Sequence, residues 1–175
     1  MDSREEVDLY IGVDESNHGK YPEIIVASFS QDPFTIQERT IPKQRIHKST
    51  FLETLECDYS FLLLKSSDRE RLNYSDLMAN IIGSLLYGKI SQFNTSHIFV
   101  DGELKNLQGK EVDDLKRNIA NIIQAPKSRI TLKSGPDFDR TYPLVNIADG
   151  IAHYIFSKLT PQKIAENSHL VELLL

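Results

Sequence analysis

The sequence has no tryptophan and one cysteine, Cys57, so it can form neither an intrachain disulfide nor a cysteine-based zinc cage. That usage suits a reducing compartment. Long hydrophobic runs are also missing: the longest apolar stretches, such as Phe61 to Leu64 and Ile81 to Tyr87, fall well short of the ~20 residues that a membrane-crossing helix needs. The first residues, Met-Asp-Ser-Arg-Glu-Glu, are acidic where a secretory leader is basic and then apolar. The expected location is therefore the cytoplasm, with no membrane partner. There is no excess of positive charge either. The net charge is -5, which argues against a protein that coats nucleic acid nonspecifically but not against an enzyme, because carboxylates that bind cations count as negative in the sum. No Walker-type glycine loop and no Ser-His-Asp pattern surrounds Ser16, which sets aside P-loop and serine-hydrolase chemistry. Repeats, low-complexity tracts and long Pro/Gly/Ser linkers are absent as well.

What is present is an ordinary globular mixture of 40% hydrophobic and 26% charged residues in a chain of 175, enough for one continuous core. Val7, Leu9, Ile11 and Val13 alternate with Asp8, Tyr10 and Gly12, the period of a strand, which ends at Asp14. Glu23 to Ser30 predicts the second strand of an antiparallel hairpin, and Thr35 to Ile41 a third, more polar edge strand. A short helix is expected near Phe51 to Glu56. Tyr59 to Leu64, apolar almost throughout, predicts a buried strand that opens a parallel section. Leu72, Leu77, Ile81, Leu85 and Ile90 give one long helix over Asp68 to Ile90. A strand at Ile98 to Val100, a helix at Glu111 to Gln124, a strand at Arg129 to Lys133 and a helix at Leu144 to Leu159 follow. The most flexible places are expected at Gly19 to Pro22, Lys133 to Asp137 and after Pro161. The predicted fold class is α/β: a mixed sheet of three antiparallel strands and then parallel strands, flanked by helices.

Against that scheme a few acidic residues stand out. Asp14 and Glu15 follow directly on one apolar strand and Asp101 on another, and the carboxyl ends of strands are where open α/β sheets bind ligands. Gly12 and Gly102 leave room for close approach. Asp139 precedes the final helix and Asp149 lies inside it, at the margin of the buried face defined by Leu144, Ala148, Ile151, Ile155 and Leu159. Gathered carboxylates repel unless cations sit among them. Hard oxygen ligands favour Mg²⁺ or Mn²⁺, and two such ions ~4 Å apart can drive phosphodiester hydrolysis. Scattered surface and capping acids are the alternative. His18, Lys133 and His153 are possible auxiliary groups. Lys43, Arg45, His47 and Lys48, and separately Lys127, Arg129 and Lys133, could touch phosphate or form solvated surface. Tyr142 and Tyr154 could stack on a base, although core or rim positions suit them better.

Three of these segments also resemble a known family. Ile11-Gly-Val-Asp-Glu-Ser16, continuing to Ile24 to Ala27, resembles the opening of type 2 ribonucleases H; Phe99-Val-Asp-Gly102 resembles their second acidic strand end. Lys133 to Asp139, followed by Tyr142-Pro-Leu-Val-Asn-Ile-Ala148, resembles their third segment. The resemblance implies a ribonuclease H-like domain over residues 1–160 with a C-terminal helical tail at 161–175. It implies a divalent-metal-dependent nuclease acting on nucleic acid, RNA or a hybrid duplex rather than DNA alone. The implied ligands are Asp14, Glu15, Asp101 and Asp139. Asn146-Ile-Ala-Asp149 also resembles the last helix of uncharacterised Asp-Glu-Ser-type ribonuclease H-like proteins, in which the helical acid is the final ligand. Both acids are retained, with helix geometry favouring Asp149. Where type 2 enzymes carry a Gly-Arg-Gly that reads the ribose 2′-OH, this chain has Ser16-Asn17-His18-Gly19. The same fold would also serve a non-catalytic nucleic-acid-binding or protein-interaction module. It is shared by actin-like and sugar-kinase-like ATPases too, but those pair two such domains.

Overall fold

The strand pattern builds a five-stranded sheet around β1 (Leu9–Ser16), in the order β3-β2-β1-β4-β5. The computed structural model describes residues 7–16, 22–42, 50–90, 93–102 and 109–174, with the backbone alone at 15 and 16. β2 (Glu23–Ser30) runs antiparallel to β1 with Val13 opposite Ala27 and Asp14 opposite Val26. β3 (Asp58–Leu64) is antiparallel to β2. On the other side, β4 (Ser96–Asp101) runs parallel to β1 with Val13 opposite Val100, and β5 (Ile130–Gly135) runs parallel to β4 with Asp101 opposite Gly135.

Alternation along each strand divides side chains between two faces. Leu9, Ile11, Val13, Ile98 and Val100 point into a large core beneath α2 (Tyr74–Leu86) and α3 (Lys110–Ile123). Ile24, Val26, Tyr59 and Phe61 point the other way, onto Ala148, Ile151, Ala152 and Ile155 of α4 (Pro143–Lys158). Pro143 at the first turn of α4 supplies a helix-compatible φ where no amide donor is needed. Among the described residues, no helix is long and apolar enough to cross a membrane.

Several local expectations are overturned. The expected strand at Thr35 to Ile41 is absent: Pro33–Ile36 forms a 3₁₀ turn, capped by Asp32 accepting from the Phe34 amide, and extended chain follows. The third antiparallel strand is instead β3, so the parallel section begins at β4 and not at Tyr59. An all-apolar run reads the same in either orientation, and only pairing with β2 decides it. Phe51 to Glu56 closes as a turn, Thr54 N–H donating to Thr50 O, without continuing into a helix.

The long helix from Asp68 is broken into α1 (Ser66–Arg71) and α2, with Leu72 extended between them. A local side chain supplies the break: Asn73 caps α2 by accepting from the Asp76 amide, while Asp68 accepts from the Lys65 amide and closes the start of α1. Lys133 to Gly135, expected to be flexible, completes β5. Past α4, α5 spans Pro161–Glu166. The remaining tail lies along the outer edge of β3, with Phe61 N–H donating to His169 O and Val171 N–H to Phe61 O.

Candidate metal centre

Register and alternation determine the site. Tyr10, Gly12 and Asp14 share the α4 side of β1 with His97, Phe99 and Asp101 on β4, because Gly12 lies opposite Phe99 and the chains are parallel. Asp14 and Asp101 are therefore the next step on two neighbouring strands, at the same end of the sheet. Asp14 is buried at 6% exposure and Asp101 is half-buried.

Asp139 arrives from a different element. After β5 the chain turns through Asp137, in the left-handed region at φ 60°, into the 3₁₀ turn Phe138–Arg140. Phe138 folds back over Gly135, where a Cβ would stand 2.6 Å from its ring and displace it. The Asp139 amide donates to Asp101 Oδ1 at 3.3 Å. As a result Asp14, Asp101 and Asp139 each present a carboxylate oxygen within 4.8 Å of the other two.

α4 closes over this end because Gly12 lets it. A Cβ on Gly12 would lie 2.7 Å from the Leu144 carbonyl carbon and oxygen and 2.8 Å from Val145 N, so helix backbone rests directly on β1. Ser28, fully buried on β2, donates to Leu144 O at 2.7 Å and fixes the same turn. Tyr142, just before α4, packs on Phe99 and Phe138 at centroid distances of 4.9 and 4.8 Å. Its hydroxyl donates to Glu38 Oε1 at 3.0 Å, and burial together with that carboxylate raises its pKa. Loop 37–42 is thereby held against the turn, with Arg39 N–H donating to Thr141 O and Ile41 N–H to Arg140 O.

The expected residues divide clearly. Asp14, Asp101 and Asp139 converge. Asp149, favoured over Asp139 by helix geometry, is not in that group: it sits midway along α4, partly buried, beside the face that packs on β2 and β3. Glu15 continues β1 opposite Ile25, and its side chain lies outside the described residues, as do His18, Lys43, Arg45, His47 and Lys48. Lys133 is exposed, its ammonium 5.9 Å from the Phe99 ring centroid, and His153 is exposed on α4. Lys127 is ion-paired with Asp113, in keeping with solvated surface. Tyr142 and Tyr154 are buried, the core reading rather than the stacking one. Glu38 and Asn146 were not singled out by sequence, since both act through contacts distant in the chain.

The donor set is hard: three carboxylates and neither thiol nor imidazole in the group. It fits Mg²⁺ or Mn²⁺ better than a soft metal.

No protein-family model matches this sequence. No curated protein matches it at a significant level. Solved structures do. The ribonuclease H2 from Pyrococcus horikoshii OT3 superposes with a TM-score of 0.54 at 20% identity, covering 93% of this chain and 80% of that one. Bst-RNase HIII in complex with Mn²⁺ gives 0.55 at 16% identity over 94% of this chain, and a variant of Bst-RNase HIII gives 0.53 at 16% over 92%. The chain spans about half the length of those two proteins, 55% and 54% respectively. Sheet order, strand directions and these likenesses together give this chain a ribonuclease H-like fold.

Proposed function

We propose that the chain is a divalent-metal-dependent nuclease that hydrolyses phosphodiester bonds in RNA or an RNA-containing duplex. The observation that carries this reading is the approach of Asp14, Asp101 and Asp139 oxygens to within 4.8 Å of one another at the carboxyl end of β1 and β4. Three like charges so close raise the energy of the folded chain, and a bound cation offsets that cost. Asp14, Asp101 and Asp139 are the proposed ligands, with Glu15 and Asp149 as further carboxylates for a second ion. When bound, two Mg²⁺ or Mn²⁺ ions would supply an activated water and neutralise charge at the scissile phosphate.

The chain's own part is to hold the acids in place. Asp14 and Asp101 stand on paired strands, and Asp139 is tied to Asp101 through its amide. Lys133, on the same side of the sheet as Phe99, places a positive charge near the approach of a phosphate backbone.

The test incubates labelled single strands, DNA duplex, RNA duplex and hybrid with Mg²⁺, Mn²⁺ or chelator. Metal-dependent cleavage of the RNA-containing substrates, abolished by Asp14→Asn, is the expected result. Cleavage that persists in Asp14→Asn, or no cleavage of any substrate with either metal, rejects the reading.

A further inference from the structure

The three carboxylates stand on supports of unequal stiffness. Asp14 and Asp101 belong to adjacent strands in register, whereas Asp139 rides on a 3₁₀ turn of three residues. Its position depends on what grips that turn. One grip is the side chain of Asn146, whose Nδ2 donates to the Asp139 carbonyl at 3.0 Å.

Asn146 lies in the first turn of α4, the turn that Gly12 admits against β1 and Ser28 pins through Leu144 O. The bond thus connects the turn carrying Asp139 to a stretch of helix fixed on the same strand that carries Asp14. A partly buried asparagine is a poor choice for helix propensity or for apolar packing. Its amide is satisfied by the carbonyl of the residue that presents the third carboxylate. Holding that carbonyl fixes the peptide plane and, through it, the direction of the Asp139 Cα–Cβ bond.

Resting on the reading of these acids as cation ligands, we propose that Asn146 is a positioning residue for Asp139 and sets the affinity of the centre for divalent cations. Mg²⁺ demands near-ideal octahedral geometry, so a loosened Asp139 penalises Mg²⁺ more than Mn²⁺.

The experiment titrates Mn²⁺ into the full chain and follows free Mn²⁺ by its paramagnetic resonance signal, for wild type, Asn146→Ala and Asn146→Gln. Asn146→Ala weakens Mn²⁺ binding about 10- to 100-fold, the usual scale for groups that orient ligands, while its melting temperature in chelator stays close to wild type. Asn146→Gln, which retains the amide donor, recovers most of the affinity. In cleavage assays Asn146→Ala loses more activity with Mg²⁺ than with Mn²⁺, and saturating Mn²⁺ restores it. Wild-type affinity in Asn146→Ala overturns the inference, as does an Asn146→Gln chain that binds as weakly as Asn146→Ala. A wild-type chain that binds no Mn²⁺ overturns the ligand reading itself, a separate failure.

Discussion

The backbone amide of Asp139 donates to Oδ1 of Asp101 across 3.3 Å, so one acidic residue holds another by its main chain while their carboxylates share a small volume. The bond uses one acceptor site on Asp101 and leaves the rest of the carboxylate for a cation.

Replacing Asp101 by Asn keeps an oxygen that can accept from Asp139 and removes a charge. Without metal, Asp101→Asn is expected to be more stable than wild type by on the order of 1 kcal/mol, because like charges are relieved. With Mn²⁺ at a hundred times its dissociation constant, wild type gains about 2.7 kcal/mol and the variant much less. Thermal melts in chelator and in Mn²⁺ check both signs.

Gly12→Ala places a methyl 2.7 Å from the Leu144 carbonyl, and backbone atoms cannot rotate out of its way. α4 must lift from β1. The expected loss is about 1–3 kcal/mol, a fall of several degrees in melting temperature, with weaker Mn²⁺ binding because Asn146 and Asp139 move with the helix. An unshifted melting temperature would contradict the close approach.

Glu23 is fully buried on β2, and Arg69 grips it with Nε at 3.1 Å and Nη2 at 2.6 Å. Arg69→Ala leaves a carboxylate in the core without its guanidinium, at a cost of about 3 kcal/mol by urea unfolding. Glu23→Leu combined with Arg69→Met recovers most of that loss. A double variant as unstable as Arg69→Ala would show that the charge was not the cause.

Asp58 gives the acid limb of stability a specific contributor. Desolvation pushes its pKa up, but hydrogen bonds from Lys89 and from the Tyr59 amide, with the charges of Lys89 and His169, hold it below its ordinary value of 3.8. A lowered folded-state pKa stabilises the protein above the unfolded pKa, and that contribution is lost as pH falls through the folded one. As pH falls below about 4, wild type should therefore lose stability more steeply than Asp58→Asn in urea unfolding. Parallel slopes would remove Asp58 from the account.

Two of the three converging acids were legible in the sequence because each ends an apolar strand, and strand ends can be seen one segment at a time. Asp139 was singled out by its place before the final helix and by family resemblance, while helix geometry favoured Asp149. α4 rests on β1 through Leu144 and Val145 over Gly12, a contact that periodicity along the helix does not report. The misassigned Thr35 to Ile41 strand and the unbroken helix from Asp68 have a similar origin. Short polar side chains, Asp32 and Asn73, redirect the backbone by local hydrogen bonds that hydrophobic pattern does not register.

By itself the sequence determined the α/β class, most strand and helix positions, and the acids at the ends of β1 and β4, since these follow from side-chain period and local turn chemistry. Tertiary structure alone decided that β3 pairs antiparallel at one edge, that α4 rests on Gly12, and that Asp139 joins Asp14 and Asp101. Those outcomes depend on contacts between segments far apart in the chain, and hydrophobic pattern carries no record of which surfaces meet.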